Sequence, residues 1–240
     1  MAENQKKPVA VVIAVGPGTG ASLARRFAKQ YAVAINARSA SYLKTLGEEI
    51  RNGGGQALEI PADIGDPKQV AEAFARVRAE LGEPEILLYN AGSGTWGSIV
   101  DITAEQYEAA WRVNALGAFL CAKEVAPAMI ARGHGAMLFT GATAGVKAGP
   151  RSVAFGPAKF AMRGLAQSLA RDLGPRGIHV AWINIDGGID IPRVRERYPQ
   201  MKEEDLLKPD AIAETYWHVA HQDRSAWSME LELRPFKEKF

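Results

Sequence analysis

The sequence is short of cysteine, of net charge and of long hydrophobic runs. Its single cysteine, Cys121, cannot form an internal disulfide, which fits a reducing compartment, and its neighbours Leu120 and Ala122 predict that it is buried. The 29 basic and 27 acidic residues leave a formal charge of +2, so the charge balance gives no indication of a nucleic-acid partner. The longest aliphatic run covers residues 9–15, whereas a membrane-spanning helix needs about 20 residues. We therefore expect no membrane span.

The composition is otherwise that of an ordinary globular protein. Hydrophobic residues make up 47% and charged residues 23% of the 240 positions, which excludes a disordered or collagen-like chain. A chain of this length can bury a large core within one domain. The first ten residues, MAENQKKPVA, have no apolar stretch before a cleavage site, so we expect no signal peptide there. We expect a soluble protein of the cytoplasm.

Short apolar runs alternate with helical patterns along the chain. Continuous runs rich in β-branched residues predict strands that are covered on both faces. These runs lie at residues 9–15, 33–36, 57–60, 85–89, 136–140 and 178–185. The alternation of apolar and charged residues over 229–233 predicts a last strand.

The helices between these strands carry start and stop signals. Asp66 precedes a proline at the first helical position, which predicts a helix start. Residues 103–106, Thr-Ala-Glu-Gln, have the form of a capping box. A third helix follows Lys159 and ends at Gly174, which is followed by a proline.

Strand–helix alternation with short connections predicts an α/β fold. We expect a doubly wound parallel sheet of the Rossmann type, in three α/β/α layers, that forms a single domain over residues 1–240. Residues 187–210 are charged, contain proline and lack a clear pattern. We expect this segment to be a flexible flap over the substrate.

A glycine-rich turn joins the first predicted strand to the first helix. It consists of Gly16, Pro17, Gly18, Thr19, Gly20 and Ala21. Glycine lets the backbone approach a pyrophosphate closely, and the helix N-terminus offers free N–H groups and the positive end of its dipole. In this context the turn predicts a dinucleotide site. The same glycines also resemble the first motif of methyltransferases that bind S-adenosylmethionine. Those enzymes have an acidic residue before the glycines and another after the second strand, where this chain has Ala14 and the triplet Asn-Ala-Arg at 36–38.

Further motifs make the chain resemble the short-chain dehydrogenase/reductase superfamily. They are the spacing of Gly16 and Gly20, the Asn-Ala-Gly triplet at 90–92, Asn114 in a long helix and Lys159 in the next one. The resemblance extends over nearly the whole chain in order and spacing. It implies one doubly wound domain that binds a nicotinamide dinucleotide and a small-molecule substrate. It also implies a homodimer or homotetramer built on two long helices, here at about 104–132 and 155–173.

The resemblance also assigns positions around the cofactor. Asp63 and Ile64 would flank the adenine, and Gly187 and Ile189 would lie beside the nicotinamide, with Asp186 where relatives have proline. The full set of implied cofactor-binding residues is Gly16, Gly18, Thr19, Gly20, Arg38, Asp63, Ile64, Asn90, Ala91, Gly92, Lys159, Gly187 and Ile189.

The charge after the second strand predicts which nicotinamide cofactor binds. Enzymes of this fold that use NAD place Asp or Glu there, where it hydrogen-bonds the ribose hydroxyls and would repel the 2′-phosphate of NADP. This chain has Arg38 instead, and a guanidinium binds a phosphate in bidentate fashion. We therefore expect NADP(H) to be preferred over NAD(H).

The catalytic positions depart from the superfamily pattern. Relatives use a Tyr four residues before the Lys as the acid/base and a Ser thirteen residues before that Tyr to hold the carbonyl oxygen. Asn114 and Lys159 match the pattern, but Phe155 and Ala142 occupy the Tyr and Ser positions. Neither side chain can supply a proton or a hydrogen bond, although a positioned acid contributes about 10²–10⁴-fold. The candidate substitutes are Ser152 and Tyr198.

Two hypotheses about function follow. The first is an oxidoreductase that acts on a small carbonyl or alcohol substrate with a non-standard or water-borne proton source, as the fold analogy favours. The second is an NADP(H)-binding protein with weak or no turnover, a sensor, scaffold or partner subunit, as Phe155 and Ala142 favour. The four histidines have no metal-ligand pattern with cysteine or acidic neighbours, so no metal site is expected.

Overall fold

Seven parallel strands form the central sheet in the computed structural model, which describes residues 7–92 and 95–238. The strands of this sheet are β1 (Val9–Ile13), β2 (Ala32–Ala37), β3 (Gln56–Pro61), β4 (Pro84–Tyr89), β5 (Gly135–Thr140), β6 (Ile178–Ile185) and β9 (Glu230–Leu233). Two short strands between β6 and β9, β7 (Gly188–Ile189) and β8 (Leu206–Leu207), form a separate parallel pair. Their order in the sheet is β3-β2-β1-β4-β5-β6-β9. The predicted strands are thus confirmed, the last one included.

Eight α-helices connect and cover these strands within the described residues. They are α1 (Thr19–Ala28), α2 (Ala40–Asn52), α3 (Pro67–Glu80), α4 (Ala104–Trp111), α5 (Gly117–Arg132), α6 (Phe155–Leu173), α7 (Pro192–Arg197) and α8 (Pro209–Ala220). The predicted helix starts are confirmed. Asp66 accepts hydrogen bonds from two N–H groups in the first turn of α3, and Thr103 and Gln106 form a capping box at α4.

The core has two halves because both faces of the sheet are covered. On one face, Phe74 of α3, Cys121 of α5 and Met162 of α6 pack against the strands. On the other face, Leu23 of α1 and Tyr216 of α8 do so. The predicted doubly wound, three-layer architecture is therefore confirmed.

The structure corrects two expectations from the sequence, one about the end of the first strand and one about the segment 187–210. The first strand ends at Ile13 rather than at residue 15, because Ala14 adopts a left-handed φ of 59° that turns the chain out of the sheet. The segment 187–210 is not without regular structure. It contains β7, α7 and β8, and Gly188 of β7 pairs with Leu206 of β8. These three elements are too short for a helical or strand period to be visible in the sequence.

The helix expected over 104–132 contains a π-helical turn at Arg112–Leu116, between α4 and α5. The N–H of Gly117 donates to the carbonyl of Arg112, one residue further back than in an α-helix, so the Val113 carbonyl is released. The hydroxyl of Tyr89, which is buried at the end of β4, donates to that carbonyl. A Cβ at Gly117 would lie 2.5 Å from the Tyr89 oxygen, so this approach requires glycine. Burial raises the pKa of Tyr89 well above its ordinary value, which keeps it a donor.

By length and composition alone, the helix Ala104–Arg132 is apolar enough to cross a membrane. Packing explains its apolar residues, because Ala118, Cys121 and Val125 are buried between this helix and the sheet. Burial also raises the pKa of the Cys121 thiol, as expected for a small core residue.

The bond from Tyr89 to the π-turn leads to a prediction about stability. The change Tyr89→Phe leaves the buried Val113 carbonyl without its partner, so it should lower the free energy of unfolding by about 1–3 kcal/mol. Urea unfolding followed by circular dichroism measures the difference. Tyr107→Phe is the matched control, because Tyr107 is exposed on α4 and its change should stay within about 0.5 kcal/mol. Equal effects of the two changes would contradict this account of the π-turn.

Candidate functional site

A large cavity opens at the carboxyl edge of the sheet. The strand order reverses there between β1 and β4, which creates a crevice where ligands of doubly wound sheets bind. Its volume is about 690 Å³. The residues that line it are Ala14, Gly16, Pro17, Gly18, Thr19, Gly20, Asn90, Ala91, Gly92, Thr140, Gly141, Ala142, Phe155, Lys159, Ile185, Gly187, Ile189, Ile191, Pro192, Arg193 and Glu196.

The glycine turn forms one end of this cavity. Gly18 caps α1, which begins within the motif at Thr19. A Cβ at Gly20 would lie 2.8 Å from the Cα of Val15, and a Cβ at Gly18 would lie 2.5 Å from Cγ2 of Ile191. Side chains at these positions would therefore collide with neighbouring atoms. Among the first N–H groups of α1, that of Ala21 donates to the Gly16 carbonyl at 3.2 Å, and the N-terminus of a helix is a favourable place for an anion.

A smaller cavity of about 340 Å³ continues from the glycine turn toward the second strand. Arg38, Asp63 and Ile64 line it together with Val113, which the sequence did not single out. Arg38 is exposed, Ile64 is buried, and a carboxylate oxygen of Asp63 accepts from the N–H of Gly65 at 2.8 Å. The structure thus brings together the residues that the resemblance assigned to the adenosine end.

Asn36, the other polar side chain after the second strand, has a structural task. It is buried, and its amide donates to the carbonyls of Ile60 and Ala62 at 2.9 and 3.2 Å. Its oxygen accepts from the N–H of Ala14 at 3.4 Å, a long contact. Asn36 therefore holds the ends of three strands together. Arg38 is the charged side chain from the end of β2 that lines the cavity.

Lys159 lies at the inner end of the large cavity, on the first turns of α6. Its side chain is 2% exposed, and Nζ donates to the carbonyls of Ala91 and Thr140 at 2.8 Å each. Desolvation by burial lowers its pKa to about 7. The ammonium also lies 5.6 Å from the centre of the Phe155 ring, within the range of a cation–π interaction.

Phe155 and Ala142 both line the cavity beside Lys159. The half-buried Phe155 ring packs against Trp96 with ring centres 5.3 Å apart, a contact that the sequence did not indicate. The wall next to the ammonium is therefore aromatic and apolar at the two positions where the resemblance implies a tyrosine and a serine.

Asn114 lies at the centre of the π-helical turn. It is fully buried, and its amide nitrogen donates to the carbonyl of Ala110 at 2.8 Å. It does not line the large cavity, so the structure gives it no direct contact with a ligand there. The turn that releases the Val113 carbonyl also sets the direction of the Asn114 side chain.

A chain of buried hydroxyl and amide groups supports the floor of the cavity. Tyr216 of α8 donates to Oγ1 of Thr140 at 2.7 Å, and Thr140 donates to Oδ1 of Asn90 at 3.2 Å. The Asn90 amide in turn donates to the Ala14 carbonyl at 3.4 Å. The hydroxyl proton of Thr140 is therefore used in the hydrogen bond to Asn90. Tyr216 was not found from the sequence because it lies 76 positions from Thr140.

The structure does not bring the two candidate substitutes into the cavity. Ser152 is buried, and its hydroxyl donates to the carbonyl of Gly149 at 2.7 Å. Tyr198 is exposed after α7, where its oxygen accepts from Arg197 at 3.1 Å. Neither lines the cavity, so neither side chain reaches Lys159 in this arrangement.

The residues after β6 form the other wall. Gly187 and Ile189 line the cavity as the resemblance implied, and Ile191 does so as well. The spacing of two residues between Ile189 and Ile191 could have indicated from the sequence that Ile191 also lies on the cavity side. Asp186 is buried away from the cavity, where it accepts from Thr143 Oγ1 at 2.6 Å and forms an ion pair with Arg234.

The residues present fit a nicotinamide dinucleotide. Oγ1 of Thr19 is buried at the glycine turn with no hydrogen-bond partner among the described residues, which suits a phosphate oxygen as its acceptor. The glycines leave a space that a Cβ would fill, and Arg38 and Lys159 supply positive charge at the two ends.

Comparison with known proteins agrees with this geometry. A family model described as short chain dehydrogenase matches residues 8–201. A short-chain dehydrogenase/reductase of Hericium erinaceus is 34% identical over 178 residues, which are 72% of this chain and 71% of that one. The crystal structure of a short-chain dehydrogenase from Rhodopseudomonas palustris superposes with a TM-score of 0.82 at 31% identity and covers 95% of this chain and 99% of that one. A metagenomic short-chain oxidoreductase in complex with NADP gives a TM-score of 0.83 at 26% identity, with 95% and 96% covered.

The buried ammonium leads to a prediction about pH and stability. The pKa of Lys159 is about 7 in the fold and about 10.4 in an unfolded chain, so between these values the unfolded chain binds the extra proton. The free energy of unfolding should therefore rise with pH in this window, by up to about 1.4 kcal/mol per pH unit. Urea unfolding at pH 7, 8, 9 and 10 measures it.

Lys159→Met isolates this effect, because the difference between wild type and the variant cancels all other groups. That difference should rise from pH 7 to pH 10. Lys147→Met, at an exposed lysine of the loop after β5, should give a constant difference. A Lys159→Met difference that is also constant would contradict a lowered pKa.

Proposed function

Because the chain belongs to the short-chain dehydrogenase/reductase family, a family of oxidoreductases, we propose that it interconverts a small carbonyl compound and its alcohol with NADP(H) as cofactor. The observation that carries this proposal is the cavity at the carboxyl edge of the sheet. It joins the glycine turn at one end to the buried ammonium of Lys159 at the other.

Each part of the cavity has a task in this function. The N–H groups at the start of α1 and the Thr19 hydroxyl hold the pyrophosphate, while Asp63 and Ile64 flank the adenine. Asn90 and its neighbours at 91–92 form the floor under the nicotinamide half. The bound dinucleotide supplies or accepts the hydride. Ile189 and Ile191 cover it from the flap and exclude water.

Arg38 supports NADP(H) over NAD(H). It is exposed at the adenosine end, and its guanidinium can donate two parallel hydrogen bonds to a 2′-phosphate. The sequence has no carboxylate at the end of β2. The metagenomic relative was crystallised with NADP, which agrees with this assignment.

We also propose a homodimer or homotetramer in the cytoplasm, built on the helices Ala104–Arg132 and α6. Trp111 and Phe119 on the first helix and Phe160 on the second are more than 40% exposed, as contact residues would be. Leu120, Leu165 and Leu169 are half-buried, because they also pack against the core.

A binding measurement tests the cofactor assignment. Arg38→Ala should weaken NADPH binding by about 10- to 150-fold, because a hydrogen bond to a charged group contributes about 1.5–3 kcal/mol. NADH binding should be nearly unchanged. Titration of both nucleotides by tryptophan fluorescence measures the two affinities. Arg51→Ala is the control, because Arg51 pairs with Glu59 outside both cofactor cavities. Equal losses for NADPH and NADH would show that Arg38 does not bind the 2′-phosphate.

A gain-of-function experiment tests the reaction. Wild type should reduce small ketones and aldehydes slowly, because Phe155 and Ala142 give the carbonyl oxygen neither a proton nor a hydrogen bond. Phe155→Tyr combined with Ala142→Ser should increase NADPH consumption, with most of the gain from the tyrosine. The two gains should not add, since both act on one oxygen. Fast wild-type turnover that Phe155→Tyr abolishes would show that this branch runs its chemistry through another acid.

A further inference from the structure

The cavity contains few side chains that can give up a proton. Within the part of the chain that the structure describes, the candidates that line it are Thr19, Thr140, Lys159, Arg193 and Glu196. Thr19 lies at the glycine turn, at the far end from Phe155. The Thr140 proton is committed to Asn90, and its oxygen accepts from Tyr216.

Arg193 and Glu196 belong to the outer rim of the cavity. Both are exposed on α7, which follows Ile191 over the glycine turn. A guanidinium does not release its proton in proteins, so Arg193 cannot serve as an acid. Glu196 is likewise exposed on α7, outside the buried part of the cavity where Lys159 lies.

Lys159 has the geometry that these residues lack. It is buried at the inner end, and it lies in the angle between Phe155 and the Asn-Ala-Gly floor. A Cβ at Gly92 would be 3.9 Å from Nζ, an ordinary van der Waals distance, so the ammonium lies next to this floor. An ammonium has three donors, of which the Ala91 and Thr140 carbonyls take two. Among the described residues the structure gives Nζ no third hydrogen-bond partner, and Lys159 lines the cavity.

We propose that Lys159 is itself the general acid of this reductase. This inference rests on the proposed function. In the reduction, the bound dinucleotide would supply the hydride for the carbonyl carbon, and Lys159 gives a proton, directly or through one water, to the carbonyl oxygen. The products are the alcohol, the oxidised nicotinamide and a neutral lysine amine, which regains its proton from solvent. In the reverse reaction the neutral amine takes the proton of the alcohol.

The surroundings of Lys159 suit this task. The two carbonyls fix the nitrogen without neutralising its charge, and the Phe155 ring excludes water from one side. The lowered pKa of about 7 places both protonation states within reach at neutral pH. The carboxylate among the residues that line the cavity, Glu196, belongs to the flap and is exposed.

The test is a pair of opposed pH profiles. NADPH consumption with benzaldehyde and cyclohexanone should fall tenfold per pH unit above about pH 7, because the ammonium is lost. NADP⁺ reduction with benzyl alcohol and cyclohexanol should rise up to the same pH and then level off. The two midpoints should coincide, since one group is responsible for both.

Two variants separate proton transfer from cofactor binding. Lys159→Arg keeps a cation that cannot release its proton, so the NADPH dissociation constant should change less than fivefold while kcat falls about 10²–10⁴-fold and the profile becomes flat. Lys159→Met provides the same kcat test should the larger arginine not fold. Lys147→Met, at an exposed lysine, should leave both profiles unchanged.

A measurement without turnover completes the experiment. In protein labelled with ¹³C at lysine Cε, one resonance, absent from Lys159→Met, should titrate near pH 7. An ordinary midpoint near 10 overturns the proposal. So does a kcat that is independent of pH, a Lys159→Arg variant with more than a tenth of the activity, or a pH dependence that Glu196→Gln removes. These outcomes leave the reductase itself intact, whereas a protein that binds NADPH and reduces neither carbonyl at any pH overturns the proposed function as well.

Discussion

The hydrogen bonds of Lys159 to the carbonyls of Ala91 and Thr140 hold the site together. They join α6 to the ends of β4 and β5, which are neighbours in the sheet. Burying an ammonium costs several kcal/mol unless polar groups compensate, and here backbone carbonyls do so in the absence of a buried carboxylate among the described contacts. Because no anion balances the charge, the proton is held weakly, and the pKa of Lys159 is lowered.

The other polar groups at this edge act as fixed supports. Asn36 holds the ends of β1, β2 and β3, and Asn90 with Thr140 and Tyr216 connects β4, β5 and α8. Their hydrogen bonds are used within the protein, so they shape the cavity and leave its chemistry to other groups. With Phe155 and Ala142 on the wall, the cavity is well formed for a dinucleotide and sparse in proton donors. The family membership favours turnover over binding alone, and the geometry restricts the source of the proton to very few atoms.

Local patterns in the sequence predicted most of the fold. The β-branched runs, the Asp66 cap and the Thr103 capping box depend on interactions within a few residues, and each appears in the structure. The end of β1 was not predictable in the same way, because Ala14 reads as one more strand residue until its neighbours force a left-handed turn. The short elements at 187–210 likewise depend on partners far along the chain, as β7 depends on β8.

By itself the sequence determined the doubly wound sheet and the glycine turn after its first strand, since these follow from residue order and spacing. It also predicted Phe155 and Ala142 at the positions where the resemblance implies a tyrosine and a serine. Only the tertiary structure decided which polar groups are free. Ser152 looked available but donates to Gly149, and Tyr198 lies outside the cavity. The protonation of Lys159 was equally undetermined, because a pKa depends on burial and on the two carbonyls that meet the ammonium. Those carbonyls lie 68 and 19 positions away in the chain, and only folding brings them within 2.8 Å.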